Sequence, residues 1–187
     1  MPVSKKILDY LKKKKYKFEI IEHKTTYTAF DTARTTQKQE KKVKPEEIAK
    51  ALVVKADKDY FLALVPANKR LDKKKLLKII NALKKKNEEK VHPVKSREAG
   101  APVAQFNRVK SLDLAKEAWM KKNIPGKVGA TPAFREFLKL DIFIDNVLAK
   151  QKNLYVGSGE YEYSIKIEAR QYLKKEEPVK GSFSAKR

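Results

Sequence analysis

Lys50 is the residue whose type and setting most directly raise the question of chemistry. It lies in Glu46 to Asp72, EEIAKALVVKADKDYFLALVPANKRLD. Pro45 has no N–H to satisfy, and Glu46 and Glu47 favour the positive end of a short helix. Ala51 to Ala56 is apolar and β-branched, Asp57-Lys58-Asp59 reads as a turn, and Tyr60 to Val65 is a second apolar run. This pattern predicts a hairpin buried in a sheet. A lysine at the junction of helix and strand either points to solvent, where lysines usually sit, or stands at the rim of a pocket with its ammonium inward.

The other chemically capable residues are few. Asp57 and Asp59 fit a turn, Glu46 and Glu47 a helix start, and Glu88 and Glu89 a solvated patch, so no carboxylate pair is set up for acid–base work. The two histidines, His23 and His92, are far apart in sequence, and there is no cysteine. Disulfides, thiolate metal sites and cysteine nucleophiles are therefore excluded, and no metal or cofactor is expected. No serine sits in a nucleophile elbow, and Walker and dinucleotide signatures are absent. Ile124 to Phe134, IPGKVGATPAF, has the composition of a shaped loop, of the kind that lines pockets. Gly157-Ser158-Gly159 reads as a hairpin turn in preference to a phosphate cradle.

The elements that must position these residues follow from periodicity. Ser4 can cap a helix burying Ile7, Leu8 and Leu11, and Tyr16 to Glu22 alternates as a half-buried strand ending at His23. Thr28 with Asp31 resembles a capping box for a small helix to about Gln37. Asp72 can cap a helix from Lys73 to Lys86 with the stripe Leu76, Leu77, Ile80 and Leu83. Asn87 to Lys110 reads as loop, and Ser111 to Lys122 as a helix burying Leu112, Ala115, Ala118 and Trp119. Ile142 to Ile144, Leu154 to Val156 and Tyr161 to Glu168 read as strands, with a helical turn at Asp145 to Lys150. The tail from Lys174 lacks apolar periodicity and is expected to be disordered. The outcome is a mixed α/β fold: one domain over 1–173 and a basic tail over 174–187.

Lysine and arginine total 45 against 23 acidic residues, a formal charge of +22 over 187 residues. Such a balance attracts polyanions and makes nucleic acid the first candidate partner. A surface charged for solubility is the bland alternative. Met1 to Tyr10 lacks a long apolar stretch with a cleavage site, and no window approaches a membrane span, so a soluble, cytoplasmic protein is expected.

Taken together, His23…Thr28…Ala33, IAKALVV with Lys50, LALVPANKRLD, GATPAF, and IFIDNVL with YVGSGEYEYSIKI resemble, in order, the YbaK/ProX family over roughly residues 3 to 173. This family comprises the editing domain of bacterial prolyl-tRNA synthetases and its free-standing trans-editing relatives. The resemblance implies a compact mixed sheet, barrel-like, flanked by helices, and hydrolysis of the ester joining a wrong small amino acid, such as alanine, cysteine or serine, to tRNA. It implies Lys50 as the functional lysine, orienting the terminal adenosine or stabilising charge on the ester. His23, Thr28, Gly129, Ala130, Thr131 and Pro132 would bind substrate. Val128 stands where the family commonly has glycine, with glycines at 126 and 129 instead. Lys69, Arg70 and Lys73 are candidate RNA contacts near Lys50. The implied partners are the aminoacylated 3′ end of tRNA and an aminoacyl-tRNA synthetase, with the protein a monomer. A non-catalytic RNA-binding module on the same fold is the alternative.

Overall fold

The two apolar runs either side of Asp57 form the antiparallel hairpin β2 (Ala49–Ala56) and β3 (Asp59–Pro66), in register from Ala49 opposite Pro66 to Ala56 opposite Asp59. The computed structural model describes residues 3–25, 43–91 and 108–186, with side chains 88–91 left aside. A 3₁₀ turn at Pro45–Glu47 leads into β2, so Lys50 lies inside the strand and not at its junction with a helix.

The hairpin is the middle of a five-stranded sheet ordered β5 (Leu112–Leu114), β2, β3, β6 (Asp141–Asp145), β9 (Val179–Gly181). β3 pairs with β6, and β6 with β9, in parallel. A three-stranded antiparallel sheet has the order β1 (Phe18–Glu22), β8 (Tyr163–Glu168), β7 (Asn153–Gly157). β4 (Lys69–Leu71) pairs with β10 (Ser184–Lys186). Multistranded sheets flanked by helices match the expected mixed fold, but the sheets are open and no closed barrel forms.

Both faces of the five-stranded sheet are covered, which is why β2 and β3 read as continuous apolar runs. On one face Val53, Leu62, Leu64, Ile142 and Ile144 meet Val156, Ile165 and Ile167 of the small sheet and Ile7 and Leu11 of α1 (Lys5–Lys13). On the other, Val54, Ala63, Val65 and Phe143 meet Leu76 and Ile80 of α2 (Lys73–Val91). Asp72 caps α2 as expected, its Oδ1 accepting from Lys75 N–H at 3.0 Å. The short helices α3 (Glu117–Asn123), α4 (Arg135–Leu138) and α5 (Asn146–Ala149) and the longer α6 (Ala169–Glu176) complete the fold. No helix among the described residues is long and apolar enough to cross a membrane.

Three expectations change. Leu112 to Leu114 is a strand and not the start of a helix, because Leu112 pairs with Ala56 and Leu114 with Val54, while Ala115 N–H donates to Val53 O. Ile20, expected inside, is 38% exposed because β1 is an edge strand. The segment after Lys174, expected to be disordered, continues α6 and forms β9 and β10. The buried Asp145 carboxylate accepts from Phe183 and Ser184 N–H at 2.9 and 2.8 Å, and Phe183 is fully buried. The helix expected from Thr28 lies outside the described residues.

Burial, reinforced for Tyr10 and Tyr16 by Glu176, holds the phenols of Tyr10, Tyr16 and Tyr172 above their ordinary range. A raised folded pKa means that the folded state keeps a proton the unfolded chain loses. The contribution is therefore complete below the unfolded value near pH 10 and is lost as pH rises above it. Stability is expected to fall above pH ~10, by about 1.4 kcal/mol per pH unit for each of the buried Tyr16 and Tyr172 and by less for the half-buried, solvent-screened Tyr10. Denaturant midpoints from pH 8 to 11.5 check this; a flat profile above pH 10 contradicts it.

Candidate functional site

Along Ala49 to Leu52 the outer edge of β2 is not covered by β5, which pairs only with Val54 to Ala56. Val53 C=O points to that edge, accepting from Ala115 N–H, so alternation turns the peptide groups of Ala51 the same way. Across the gap lies β7, bridged to β2 at Ile48 and Tyr155. The result is a cavity of about 240 Å³ whose walls include His23, Lys50, Gly129, Ala130 and Thr131. Tyr155, Gly157, Tyr161, Tyr163 and Ser164 complete much of its lining.

Lys50 is half-buried, and its ammonium donates to Lys69 O at 2.5 Å. The first residue of β4 therefore holds the cation at the cavity wall. His23 follows β1 and is 4% exposed. Its Nδ1 lies 3.1 Å from Lys24 O, a pure acceptor, so this nitrogen donates, and its Nε2 shares a 2.9 Å hydrogen bond with Ser164 Oγ. A histidine so held orders the cavity wall and ties the end of β1 to β8.

The loop before Pro132 is zipped onto the turn after β7. Gly159 N–H donates to Ala130 O and Lys127 N–H to Gly159 O, each at 2.8 Å. Tyr161 Oη donates to Val128 O at 2.8 Å, and Lys127 pairs with Glu160 at 2.7 Å. Gly126 and Gly129 have φ of +90° and +95°, so the glycines at these positions carry the left-handed turns and Val128 does not. A side chain at Gly126 would fall 2.6 Å from the Gly159 Cα. Ala130 N–H is used within the loop, donating to Lys127 O at 3.0 Å. Gly129, next to it, lines the cavity. Thr131 is 1% exposed, and its Oγ1 has no hydrogen-bond partner among the described residues.

The structure thus brings His23, Lys50, Gly129, Ala130 and Thr131 to one cavity. Pro132, buried and bridged to Gly157, lies behind the lining. Thr28 lies outside the described residues. Lys69 reaches the site through its carbonyl, Arg70 is exposed on β4, and Lys73 pairs with Asp113 at 2.7 Å; none of the three lines the cavity. Sequence reasoning missed Ser164 and the tyrosines. Ser164 stands on the opposite face of β8 from Tyr163 and Ile165, and only the position of His23 gives it a buried partner.

Open strand edge, fixed cation and glycine–proline loop meet at one cavity on a mixed α/β scaffold. The family described as aminoacyl-tRNA editing domain matches residues 23–101. The fold is shared with a crystal structure described as "a putative trans-editing enzyme for prolyl tRNA synthetase", at 16% identity and TM-score 0.72, covering 99% of this chain and 98% of that one. A hypothetical protein's crystal structure is similar at 16% identity and TM-score 0.72, covering 97% and 100%. No curated protein matches in sequence. The YbaK-like editing-domain resemblance read from the sequence therefore holds.

Proposed function

We propose that the protein is a trans-editing aminoacyl-tRNA deacylase that clears a small mischarged residue such as alanine, cysteine or serine. The observation that carries this reading is the convergence of Lys50, His23 and residues 129–131 on one cavity in a chain that matches the editing domain. A volume of about 240 Å³ lies below the range of roughly 300–1,000 Å³ usual for ligand pockets, which favours a small aminoacyl group.

An aminoacyl ester is already activated, so hydrolysis needs a held carbonyl, donors for the developing oxyanion and a placed water. Water oxygen bonds to the carbonyl carbon, the bond to the ribose oxygen breaks, and the proton ends on that departing oxygen. Lys50 supplies the fixed positive charge, and Gly129 N–H is the loop donor. Thr131 Oγ1 is placed to meet a polar atom of the aminoacyl group. The aminoacyl end of tRNA is the substrate, while the tRNA body meets the basic surface through phosphate contacts.

A panel of tRNAs mischarged with small and large amino acids tests the proposal. Ester loss above background is expected for one or more small residues and none for bulky ones. Binding without hydrolysis of any member would favour the non-catalytic RNA-binding module. Under that reading, the internal use of Ala130 N–H has removed a needed donor.

Two substitutions probe the loop. Thr131→Val removes a hydroxyl without a protein partner, so melting is expected to stay within a degree or two. Hydrolysis of the preferred substrate should fall about tenfold, the worth of one lost hydrogen bond of ~1.5 kcal/mol. Equal activity in the variant would remove Thr131 from substrate binding. At Gly157 an added Cβ would lie 2.5 Å from Thr131 O and 2.7 Å from Ala130 O, both backbone atoms, so the loop must move. Gly157→Ala is expected to cost roughly 1–3 kcal/mol of stability and about 100-fold in single-turnover rate. Denaturant unfolding and rapid-quench assays check both values; a fully active variant would show that loop position does not matter.

A further inference from the structure

Trp119, the sole tryptophan of the chain, stacks face to face on Tyr60 with ring centroids 3.6 Å apart and planes 3° from parallel. The two rings, both half-buried, border two adjoining hollows of about 740 and 520 Å³. Among the described residues the stacked pair is thus a wall shared by the two hollows, with Lys55 Nζ 6.0 Å from the centroid of the Tyr60 ring. It stands at the far end of the β2–β3 hairpin from Lys50. At the usual strand rise, Lys55 and the turn after it are about 17–25 Å away from Lys50 along β2.

The charges around this ridge are not balanced internally. The carboxylates here already have partners: Asp59 with Lys84 at 2.7 Å, Asp141 with Arg135 at 2.5 Å, and Asp113 with Lys73 at 2.7 Å. Asp57 accepts from the N–H groups of Lys110 and Ser111, which hold its carboxyl below its ordinary range. Lys58, Lys116 and Lys139, all exposed, line the hollows with no ion pair among the described residues. Leu114, 51% exposed, adds an apolar surface beside the ridge.

We infer that this groove binds a single-stranded segment of RNA, with a base stacked against the Trp119–Tyr60 pair and phosphates on Lys58, Lys116 and Lys139. Aromatic faces plus a cationic track are what single strands take, because every base has a π-face and every linkage a charge. An apolar protein partner would bury three ammonium groups without counter-charge, at a cost of several kcal/mol each. This inference uses none of the groups proposed for ester hydrolysis and stands or falls apart from that reading.

Because Trp119 is the only tryptophan, intrinsic fluorescence of the full chain reads the groove directly. Titration with an eight-nucleotide unstructured RNA is expected to quench emission saturably. With three phosphate contacts, affinity should fall about 20-fold from 50 to 200 mM salt. Lys58→Glu combined with Lys139→Glu should weaken binding at least tenfold. Trp119→Leu, read by anisotropy of labelled RNA and checked for folding by circular dichroism, should weaken it by about 5- to 150-fold, the loss of one stacked base. Lys50→Ala should leave this affinity unchanged, which separates the groove from the aminoacyl cavity. The inference is overturned by an absence of quenching or by affinity indifferent to the charge reversals. Equal binding of an RNA duplex or of polyglutamate would overturn it as well.

Discussion

Replacing Lys50 by methionine is expected to lower single-turnover deacylation by at least 100-fold while affinity for uncharged tRNA changes less than threefold. Methionine keeps an unbranched stem against the cavity wall and removes only the charge. The loss of a preorganised charge or donor at a developing oxyanion costs about 10²–10³ in rate. That range applies here because the ammonium needs no reorganisation: the carbonyl of Lys69 holds it at 2.5 Å in a half-buried setting. Binding is expected to be spared because a chain of net charge +22 offers many other cations to the phosphates. Rapid-quench kinetics with filter binding checks both halves. A variant that loses affinity and rate in equal proportion would make Lys50 a tRNA contact and not a participant in the chemistry.

The largest effect on stability is expected at Glu176, far from the cavity in sequence yet tied to it. This carboxylate is 1% exposed. Its Oε1 accepts from Tyr16 Oη at 2.6 Å and Tyr10 Oη at 3.0 Å, and its Oε2 from Arg135 N–H at 2.5 Å. It thereby joins α6 and α1 to the chain leaving the glycine–proline loop, where Tyr172 Oη also donates to Ala133 O. Glu176→Ala leaves three donors without this acceptor, and is expected to cost about 4 kcal/mol, since hydrogen bonds to a charged group are worth roughly 1.5–3 kcal/mol each and are not additive. At this chain length that lowers the melting temperature by roughly 8–16 °C. Glu176→Gln keeps one acceptor oxygen and should lose about half as much. Calorimetry on both variants decides; a loss under 1 kcal/mol for alanine would mean that the cluster relaxes without penalty.

How much of this was readable beforehand depends on the range of the interaction. The β2–β3 hairpin, α2 with its Asp72 cap, and β6 through β8 were legible because their signals are local: apolar runs, a capping residue, alternation. Leu112 to Leu114 misled because Ser111 and the following leucines also suit a helix start, and only pairing with Val54 to Ala56 selects the strand. The tail misled for a related reason. β9 and β10 are three residues each, too short to show a period, and Phe183 is isolated in a polar stretch whose docking depends on the Asp145 carboxylate. At the site, the loop before Pro132 was legible from its glycine–proline composition, whereas Lys50 was assigned to the pocket only by resemblance to the editing family, periodicity having left it between solvent and pocket. Ser164 and Thr131 Oγ1 show their environment only once β1, β8 and the loop are side by side.

Under the proposed function, the cavity between β2, β7 and residues 129–131 receives the aminoacyl end of tRNA. The most direct measurement is a crystal structure of the protein with a non-hydrolysable amide analogue of alanyl-adenosine. The predicted result places the alanyl carbonyl between Lys50 Nζ and Gly129 N–H, with Thr131 Oγ1 within hydrogen-bond reach of the aminoacyl group. An analogue bound elsewhere on the protein, with this cavity unfilled at saturating concentration, would contradict it.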